Sequence, residues 1–197
     1  EGAGKTSALV LWTYLRWLEV LGERREIGIT APTQDRLETV LNEFFLKFPT
    51  SWFRYSSGRG LMTMCDGTRI RLVSTYRQSK AQGSPVQGYN WSWCGRDEAQ
   101  DSVDVHEDIQ SRGRSARNGL YWQMATATAK DDSDWRELRD ILIASGQWLK
   151  RNLSIFRSPF VPANFLAAKS SSMDPREFLR RYGDPITGEV SDLPPEL

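Results

Sequence analysis

The sequence has little of what zinc-stabilised or disulfide-stabilised domains require. Its 197 residues include two cysteines, Cys65 and Cys94, and one histidine, His106. The cysteines lie far apart and show no metal-ligand spacing, which argues against a structural zinc site and against a disulfide framework. We therefore expect a protein that works in a reducing, cytosolic setting.

Excess charge of one sign, long apolar runs and internal repeats are also missing. The formal net charge is +1 at pH 7, so contact with nucleic acid would have to come from local patches. No apolar run approaches the length of a membrane span, and no signal peptide is visible. With 39% hydrophobic and 26% charged residues, the composition is that of a globular chain with a sizeable core. The length predicts one domain, or one domain with a small appendage.

The chain opens on EGAGKTS, which matches the end of the phosphate-binding pattern G-x-x-x-x-G-K-[ST], although the first glycine would precede residue 1. In such a loop, backbone N–H groups turn toward phosphate oxygens. Lys5 can bridge the β- and γ-phosphates of a nucleotide, and the Thr6 hydroxyl can hold Mg²⁺. The predicted nucleotide-binding residues here are Gly2, Ala3, Gly4, Lys5, Thr6 and Ser7. The alternative is a glycine-rich turn before a helix, but an apolar helix and a β-branched strand follow, as a phosphate-binding loop requires.

Two adjacent carboxylates, Asp97 and Glu98, form a second candidate site in the stretch WCGRDEAQ. A P-loop ATPase needs one carboxylate to hold Mg²⁺ and often a second to orient or deprotonate the attacking water. We assign the metal to Asp97 and the role of base to Glu98. Gly95 and Arg96 interrupt the apolar strand that normally precedes such a pair, so a surface acidic turn is the alternative interpretation.

A strand that ends in small hydroxylated residues comes next, in LYWQMATATAK at 120–130. Thr126 and Thr128, beside the carboxylates, can sense the γ-phosphate and pass its loss to the rest of the protein. The alternative is an ordinary β-strand, in which threonine is favoured in any case.

Taken together, these motifs resemble the ATPase domain of large terminase subunits, the motors that package DNA into viral heads. The resemblance rests on GAGKTS, IGITAPTQ, the spacing from Gln87-Gly88 to DEAQ, ATATA, and the tail SPFVPANFLAAKSSSMDPREFLRRYGDP. The tail resembles the family's segment after the core, in which a phrase of the form NP-hydrophobic-hydrophobic-P precedes two helices. It covers nearly the whole chain. It implies an α/β fold of the P-loop NTPase (ASCE, RecA-like) type: a mainly parallel sheet flanked by helices, then a small C-terminal lid subdomain.

The resemblance also implies roles and partners. Lys5 and Thr6 contact phosphate and metal, Asp97 is the Walker B aspartate, and Glu98 is the catalytic glutamate. ATP and Mg²⁺ are the implied cofactors. The implied partners are double-stranded DNA, the portal protein, the small terminase subunit and further copies of the chain in a ring on the portal, in the host cytoplasm and without a membrane.

Two more features of the family have counterparts here. Thr126 and Thr128 fall in the motif that couples hydrolysis to movement. An arginine, from the same or a neighbouring subunit, completes the family's site by stabilising the transition-state charge. The segment SRGRSAR lies in the expected region, and Arg112 or Arg114 is our choice. A solvated basic loop is the alternative.

The polar stretch STYRQSKAQGSPVQG at 74–88 is a candidate DNA contact. Arg77 and Lys80 make it locally basic, which suits sequence-independent contact with phosphates. We expect Thr33 and Gln34 to face the same side. The alternative is a surface loop without a DNA role.

The predicted organisation is a P-loop core at 1–150, a lid at 151–186 and the start of a linker at 187–197. We expect the opening strand of the core, and the nuclease domain of full-length terminases, to lie outside the chain. Predicted helices cover 6–21, 33–47, 134–145 and 174–182; predicted strands cover 26–31, 61–65, 69–74, 91–95 and 120–126. The run 61–73, with Asp66-Gly67 in its middle, predicts a β-hairpin.

Two other functions fit parts of the pattern. A helicase-like, DNA-dependent ATPase shares the GKT, Asp-Glu and T-A-T motifs, but it would need a second motor domain, for which 197 residues leave no room. A non-catalytic DNA-binding or assembly module with a degenerate nucleotide site is the other. The presence of Lys5, Thr6, Asp97 and Glu98 together argues against such decay.

Overall fold

The computed structural model describes residues 4–76, 83–113, 121–127, 133–148 and 163–182. The chain divides into two compact units, one of Thr6–Ala127 and one of Glu1–Lys5 with Thr128–Leu197. The predicted lid at 151–186 and the linker that follows stay predictions.

The larger unit is built on a six-stranded sheet in the order β2-β3-β4-β1-β5-β6. Strands β4, β1, β5 and β6 run parallel, whereas β2 and β3 add an antiparallel edge to β4. The predicted parallel sheet is therefore confirmed for one part of a mixed sheet. The strands are β1 Glu26–Ala31, β2 Phe53–Ser56, β3 Leu61–Met64, β4 Arg69–Ser74, β5 Trp93–Arg96 and β6 Trp122–Ala125.

Helices flank this sheet, which confirms the predicted fold class. In the larger unit they are α1 Lys5–Glu19, α2 Gln34–Lys47 and α3 His106–Gln110. Two short 3₁₀ turns, Ala99–Asp101 and Val103–Val105, fill the segment between β5 and α3. Thr33 caps α2, since its hydroxyl accepts from the backbone N–H of Arg36 at 3.4 Å, and this fixes where the helix begins.

Two hydrophobic cores cover the two faces of the sheet, because successive side chains of a strand point to opposite sides. On β5, Trp93 belongs to the core beneath α1 and α2, and Cys94 belongs to the core beneath α3. Burial raises the pKa of the Cys94 thiol to about 12, so it is protonated at neutral pH. In the second core, Trp91 packs directly on β1 over Gly28, where an added Cβ would lie 2.3 Å from the indole ring.

The sequence-based strand predictions are exact for β1 and β4, too long by one residue for β3 and too long at both ends for β6, and they need two further corrections. The first is β2, which was not predicted and which pairs with β3 to extend the hairpin into a three-stranded meander. The second is the start of β5, two residues later than predicted. The N–H of Trp91 donates to the carbonyl of Arg112 at 2.8 Å instead of to a neighbouring strand, so regular pairing begins only at Trp93.

The described part of the second unit consists of α4 Ser133–Ala144, α5 Ala163–Ser172 and α6 Pro175–Tyr182. Asp174 caps α6, since its carboxylate accepts from the N–H of Glu177 at 3.2 Å. Phe178 and Tyr182 form a small buried cluster with Leu166 of α5. No helix in the described ranges is long and apolar enough to cross a membrane.

Candidate functional site

The candidate site lies at the carboxyl ends of β1, β5 and β6. Asp97 directly follows β5, and its N–H donates to the carbonyl of Thr30 at 2.8 Å. Thr126 directly follows β6, and its N–H donates to the carbonyl of Arg96 at the same distance. The strand ladder thus continues by one bond on each side, which fixes both backbones. Both side chains are buried: Asp97 is 2% exposed and Thr126 is 5% exposed.

Two hydroxyl groups meet at one oxygen of Asp97. Thr126 Oγ1 donates to Asp97 Oδ1 at 2.6 Å. Thr6 Oγ1, in the first turn of α1, lies 3.5 Å from the same oxygen, at the outer limit for a hydrogen bond. Three of the residues that the sequence assigns to metal and nucleotide therefore lie together, although Thr6 and Asp97 are 91 positions apart in the chain.

Glu98 adopts an unusual backbone conformation. Its φ of 47° and ψ of 54° lie in the left-handed region, which costs a non-glycine residue roughly 1–3 kcal/mol unless its surroundings hold it there. Thr126 supplies much of that support, since its hydroxyl accepts from Glu98 N–H at 3.3 Å and its carbonyl accepts from Ala99 N–H at 2.8 Å. Strain of this kind concentrates at functional sites.

Gln100 is a site residue that sequence reasoning missed. Its side chain is buried, and Nε2 donates to Glu98 Oε2 at 2.6 Å and to Asp101 Oδ2 at 3.2 Å. The glutamine therefore fixes the orientation of the Glu98 carboxylate. Its place in DEAQ, two residues after the glutamate, carries no signal by itself, because the contact depends on the 3₁₀ turn that follows Glu98.

The amino end of α1 begins at Lys5, and Gly4 before it has a φ of 74°. The first N–H groups of a helix have no partner within the helix and carry partial positive charge, which suits a phosphate. Ser7, also predicted to bind nucleotide, donates its hydroxyl to Glu43 Oε2 of α2 at 2.7 Å. The contact of Ser7 with α2 steadies the first turn of α1.

Gly95 explains how α1 approaches Asp97 so closely. An added Cβ at this position would lie 2.7 Å from Leu9 Cδ1 of α1, so a larger residue would require the buried Leu9 side chain or α1 itself to shift. The glycine that interrupts the apolar pattern before the acidic pair is therefore a packing requirement. The interpretation of WCGRDEAQ as a surface acidic turn is wrong, because β5 is buried and Asp97 with it.

Other predicted residues lie elsewhere or outside the described residues. Arg112 folds back on the end of α3, where its Nε donates to the carbonyl of Asp108 and to Ser111 Oγ, each at 3.0 Å. Thr33 and Gln34 are exposed at the start of α2. The predicted residues outside the described ranges are Gly2, Ala3, Arg77, Lys80, Arg114 and Thr128.

The donor set fits a magnesium ion and a phosphate. Mg²⁺ prefers hard oxygen ligands and binds proteins through one or two carboxylates or hydroxyls together with substrate phosphates. Thr6 Oγ1 and Asp97 Oδ1 are such oxygens. The next residue in the chain, Glu98, supplies a second carboxylate. The arrangement can hold a metal–phosphate group between α1 and the end of β5, with a base beside it.

Solved large terminases share this fold. The chain superimposes on the large terminase of a thermophilic bacteriophage in complex with ATP-γ-S, with a TM-score of 0.69 and 11% identity, over 93% of this chain and 45% of that one. For the large terminase of bacteriophage HK97, the TM-score is 0.63 and the identity 14%, over 93% of this chain and 44% of that one. The chain thus spans less than half the length of these two proteins.

A third structure matches over most of both chains. It is the large terminase ATPase domain of Thermus phage P74-26, with a TM-score of 0.59 and 16% identity, over 97% of this chain and 86% of that one. No family model and no curated protein matches the chain. The comparisons therefore show the fold, which is that of the ATPase domains of large terminases.

Proposed function

We propose that this chain hydrolyses ATP and couples hydrolysis to the movement of double-stranded DNA into a viral procapsid, as the ATPase domain of a large terminase. The observation that carries the proposal is that the hydroxyls of Thr6 and Thr126 both lie near one carboxylate oxygen of Asp97. Glu98 is the next residue in the chain. The fold shared with terminase ATPase domains supports it.

In the proposed reaction, Thr6 and Asp97 would hold Mg²⁺, and Lys5 contacts the phosphates. A bound Mg²⁺ would supply positive charge that stabilises the phosphate charge developing during hydrolysis. Glu98 accepts a proton from, or orients, the attacking water. Gln100 and the backbone support from Thr126 keep the Glu98 carboxylate in place before the substrate arrives, so that no reorganisation is required during the reaction.

Thr126 suits the coupling role, because one side chain contacts both acids. Its hydroxyl donates to Asp97 and accepts from the backbone of Glu98. A change in charge at the metal would therefore alter the hydrogen bonding at the end of β6. Thr128, two residues further along, is proposed to take part in the same motif.

The partners and the remaining residues belong to the same proposal. Arg112 or Arg114 stabilises the transition state, in which case Arg112 has to leave its contacts with the end of α3. Arg77 and Lys80 contact the DNA backbone, together with Thr33 and Gln34. The chain works as one subunit of a ring on the portal protein, with the small terminase subunit, in the host cytoplasm.

The proposal is tested by ATP hydrolysis in the Glu98→Gln variant. Loss of a general base lowers kcat by about 10²–10⁴-fold, whereas binding of a fluorescent ATP analogue should stay within a few-fold of wild type. Glu107→Gln, which removes an exposed carboxylate on α3, is the matched control and should hydrolyse ATP normally. Hydrolysis that survives in Glu98→Gln at the wild-type rate would remove Glu98 from the mechanism.

A further inference from the structure

A buried arginine lies directly behind the acidic pair. Arg96 is the last residue of β5 and is 1% exposed. Since neighbouring residues of a strand face opposite sides, its side chain lies on the α3 face of the sheet, away from Thr6. One terminal nitrogen lies 2.6 Å from His106 Nδ1. The other donates to the carbonyl of Ser102 at 3.0 Å.

The partners of this guanidinium are all neutral. Within the described residues its hydrogen bonds go to a backbone carbonyl, a hydroxyl and an imidazole, and Nε has no partner. Burial lowers the pKa of Arg96 from its ordinary value and lowers that of His106 to about 4. The carboxylate of Asp104 acts in the opposite direction and raises the pKa of Arg96. Burial of a cation is nevertheless costly, so the guanidinium depends on its hydrogen bonds to Ser102 and His106.

The hydrogen bonds of Arg96 span Glu98, because Arg96 precedes it in the chain and both partners follow it. Ser102 lies between the two 3₁₀ turns that follow Glu98, and His106 begins α3. The segment from the end of β5 to the start of α3 is therefore closed into a loop by one side chain. A non-glycine residue in the left-handed region persists only where its surroundings fix it, and this loop contains Glu98.

The contact with His106 continues to β6. Gln110 of α3 lies 3.3 Å from His106 Nε2 and contacts the side chain of Gln123 on β6 at 2.7 Å. Nδ1 of the imidazole accepts from Arg96, because a guanidinium can only donate, and the atom of Gln110 next to His106 Nε2 is Nε2. The amide nitrogen of Gln123 donates to Gln110 Oε1, which links α3 to β6.

The geometry points to Arg96 as a positioning residue for hydrolysis, which holds Ser102 and His106 and thereby fixes the backbone of Glu98. This inference rests on the proposed function, since it requires Glu98 to be the base. Arg96 contacts neither the metal ligands nor the nucleotide site with its side chain, so it acts through Glu98 alone. Its loss should therefore lower kcat and leave KM nearly unchanged.

The test compares steady-state ATP hydrolysis and thermal stability in four variants. Arg96→Met removes the guanidinium, and Arg96→Lys keeps the charge but not the planar, two-armed geometry. The matched arginine control is Arg71→Met, which breaks a partly buried ion pair with Glu26. Arg71 lies on β4, which β1 separates from β5. Glu98→Gln reports on the proposed function itself.

We expect Arg96→Met to lower kcat at least tenfold, with KM within threefold of wild type. Its melting temperature should also fall, because the Ser102 carbonyl and His106 Nδ1 lose their donor. Arg96→Lys should fall between Arg96→Met and wild type, and Arg71→Met should keep the wild-type kcat. If Arg96→Met does not fold, a wild-type kcat in Arg96→Lys overturns the inference. A wild-type kcat in both Arg96 variants, with Glu98→Gln inactive, overturns the inference alone. An active Glu98→Gln overturns the proposed function.

Discussion

Replacing Thr126 by valine tests the centre of the site, because valine has the shape of threonine without its hydroxyl. The hydroxyl donates to Asp97 at 2.6 Å and accepts from Glu98 N–H at 3.3 Å. A hydrogen bond to a charged group contributes about 1.5–3 kcal/mol, and one to a backbone N–H about 1 kcal/mol. The extra buried methyl of valine returns about 0.8 kcal/mol. We expect the free energy of unfolding to fall by about 2–3 kcal/mol.

The same change should reduce hydrolysis, because the Asp97 carboxylate loses its orienting donor and the Glu98 backbone loses an acceptor. We expect kcat to fall by about tenfold or more, which corresponds to about 1.4 kcal/mol of transition-state stabilisation. Thr126→Ser keeps the hydroxyl and loses only a methyl, so it should stay within about threefold in kcat and about 1 kcal/mol in stability.

The loss of stability is measured by urea unfolding, with one m-value shared by all variants. The loss of kcat is measured by steady-state hydrolysis at saturating ATP and Mg²⁺. The contrast between valine and serine is decisive, because both substitutions disturb the packing but only one removes the hydroxyl. If the two variants lose stability and activity equally, the hydroxyl does not hold the acids, and the geometry around Asp97 has no bearing on catalysis.

Two further predictions concern the second core. The pKa of His106 is about 4 in the folded chain against about 6.5 unfolded, so the unfolded state binds the proton first and stability present above pH 6.5 is lost as pH falls toward 4. Between pH 7 and 5 the free energy of unfolding should fall by about 2 kcal/mol through this group. Urea unfolding at both pH values should show this loss in wild type and not in His106→Gln. An equal loss of stability in the two proteins would contradict the prediction. Gly28→Ala places a methyl into the Trp91 ring and should destabilise by about 1–3 kcal/mol or more, whereas Gly58→Ala, with nothing within 4 Å of the new Cβ, should leave the melting temperature unchanged.

The parts of the site that sequence reasoning predicts are those that follow from strand order. Asp97 and Thr126 each come at the end of a strand, and parallel strands place their carboxyl ends at one edge of a sheet. Thr6 follows a glycine at the start of a helix, where phosphate-binding loops place their hydroxyl. Local patterns therefore suffice to bring these three residues to one place.

Other parts depend on contacts that no local pattern reports. An arginine at a strand end is usually exposed, and the buried position of Arg96 follows only from the turn that supplies Ser102 and His106. The orientation of Gln100 toward Glu98 depends on the same turn. The strand β2 was missed because FRYS is short and lies at an edge, where its pairing with β3 decides its conformation and its own propensity does not.

Gly95 and Arg96 break the apolar pattern of β5, and each has a structural role on one face of the sheet. On the α1 face, Leu9 packs close to β5 where Thr6 reaches Asp97, and glycine leaves space for this side chain without any shift. On the α3 face, the turn after Glu98 exposes a carbonyl and an imidazole nitrogen that need donors, and Arg96 supplies both. A wholly apolar β5 would fit the core, but it would force Leu9 or α1 to shift near Asp97. It would also remove the hydrogen bonds that hold the turn after Glu98. Departures of a sequence from the regular pattern of a strand, found immediately before a pair of carboxylates, therefore argue for a built site.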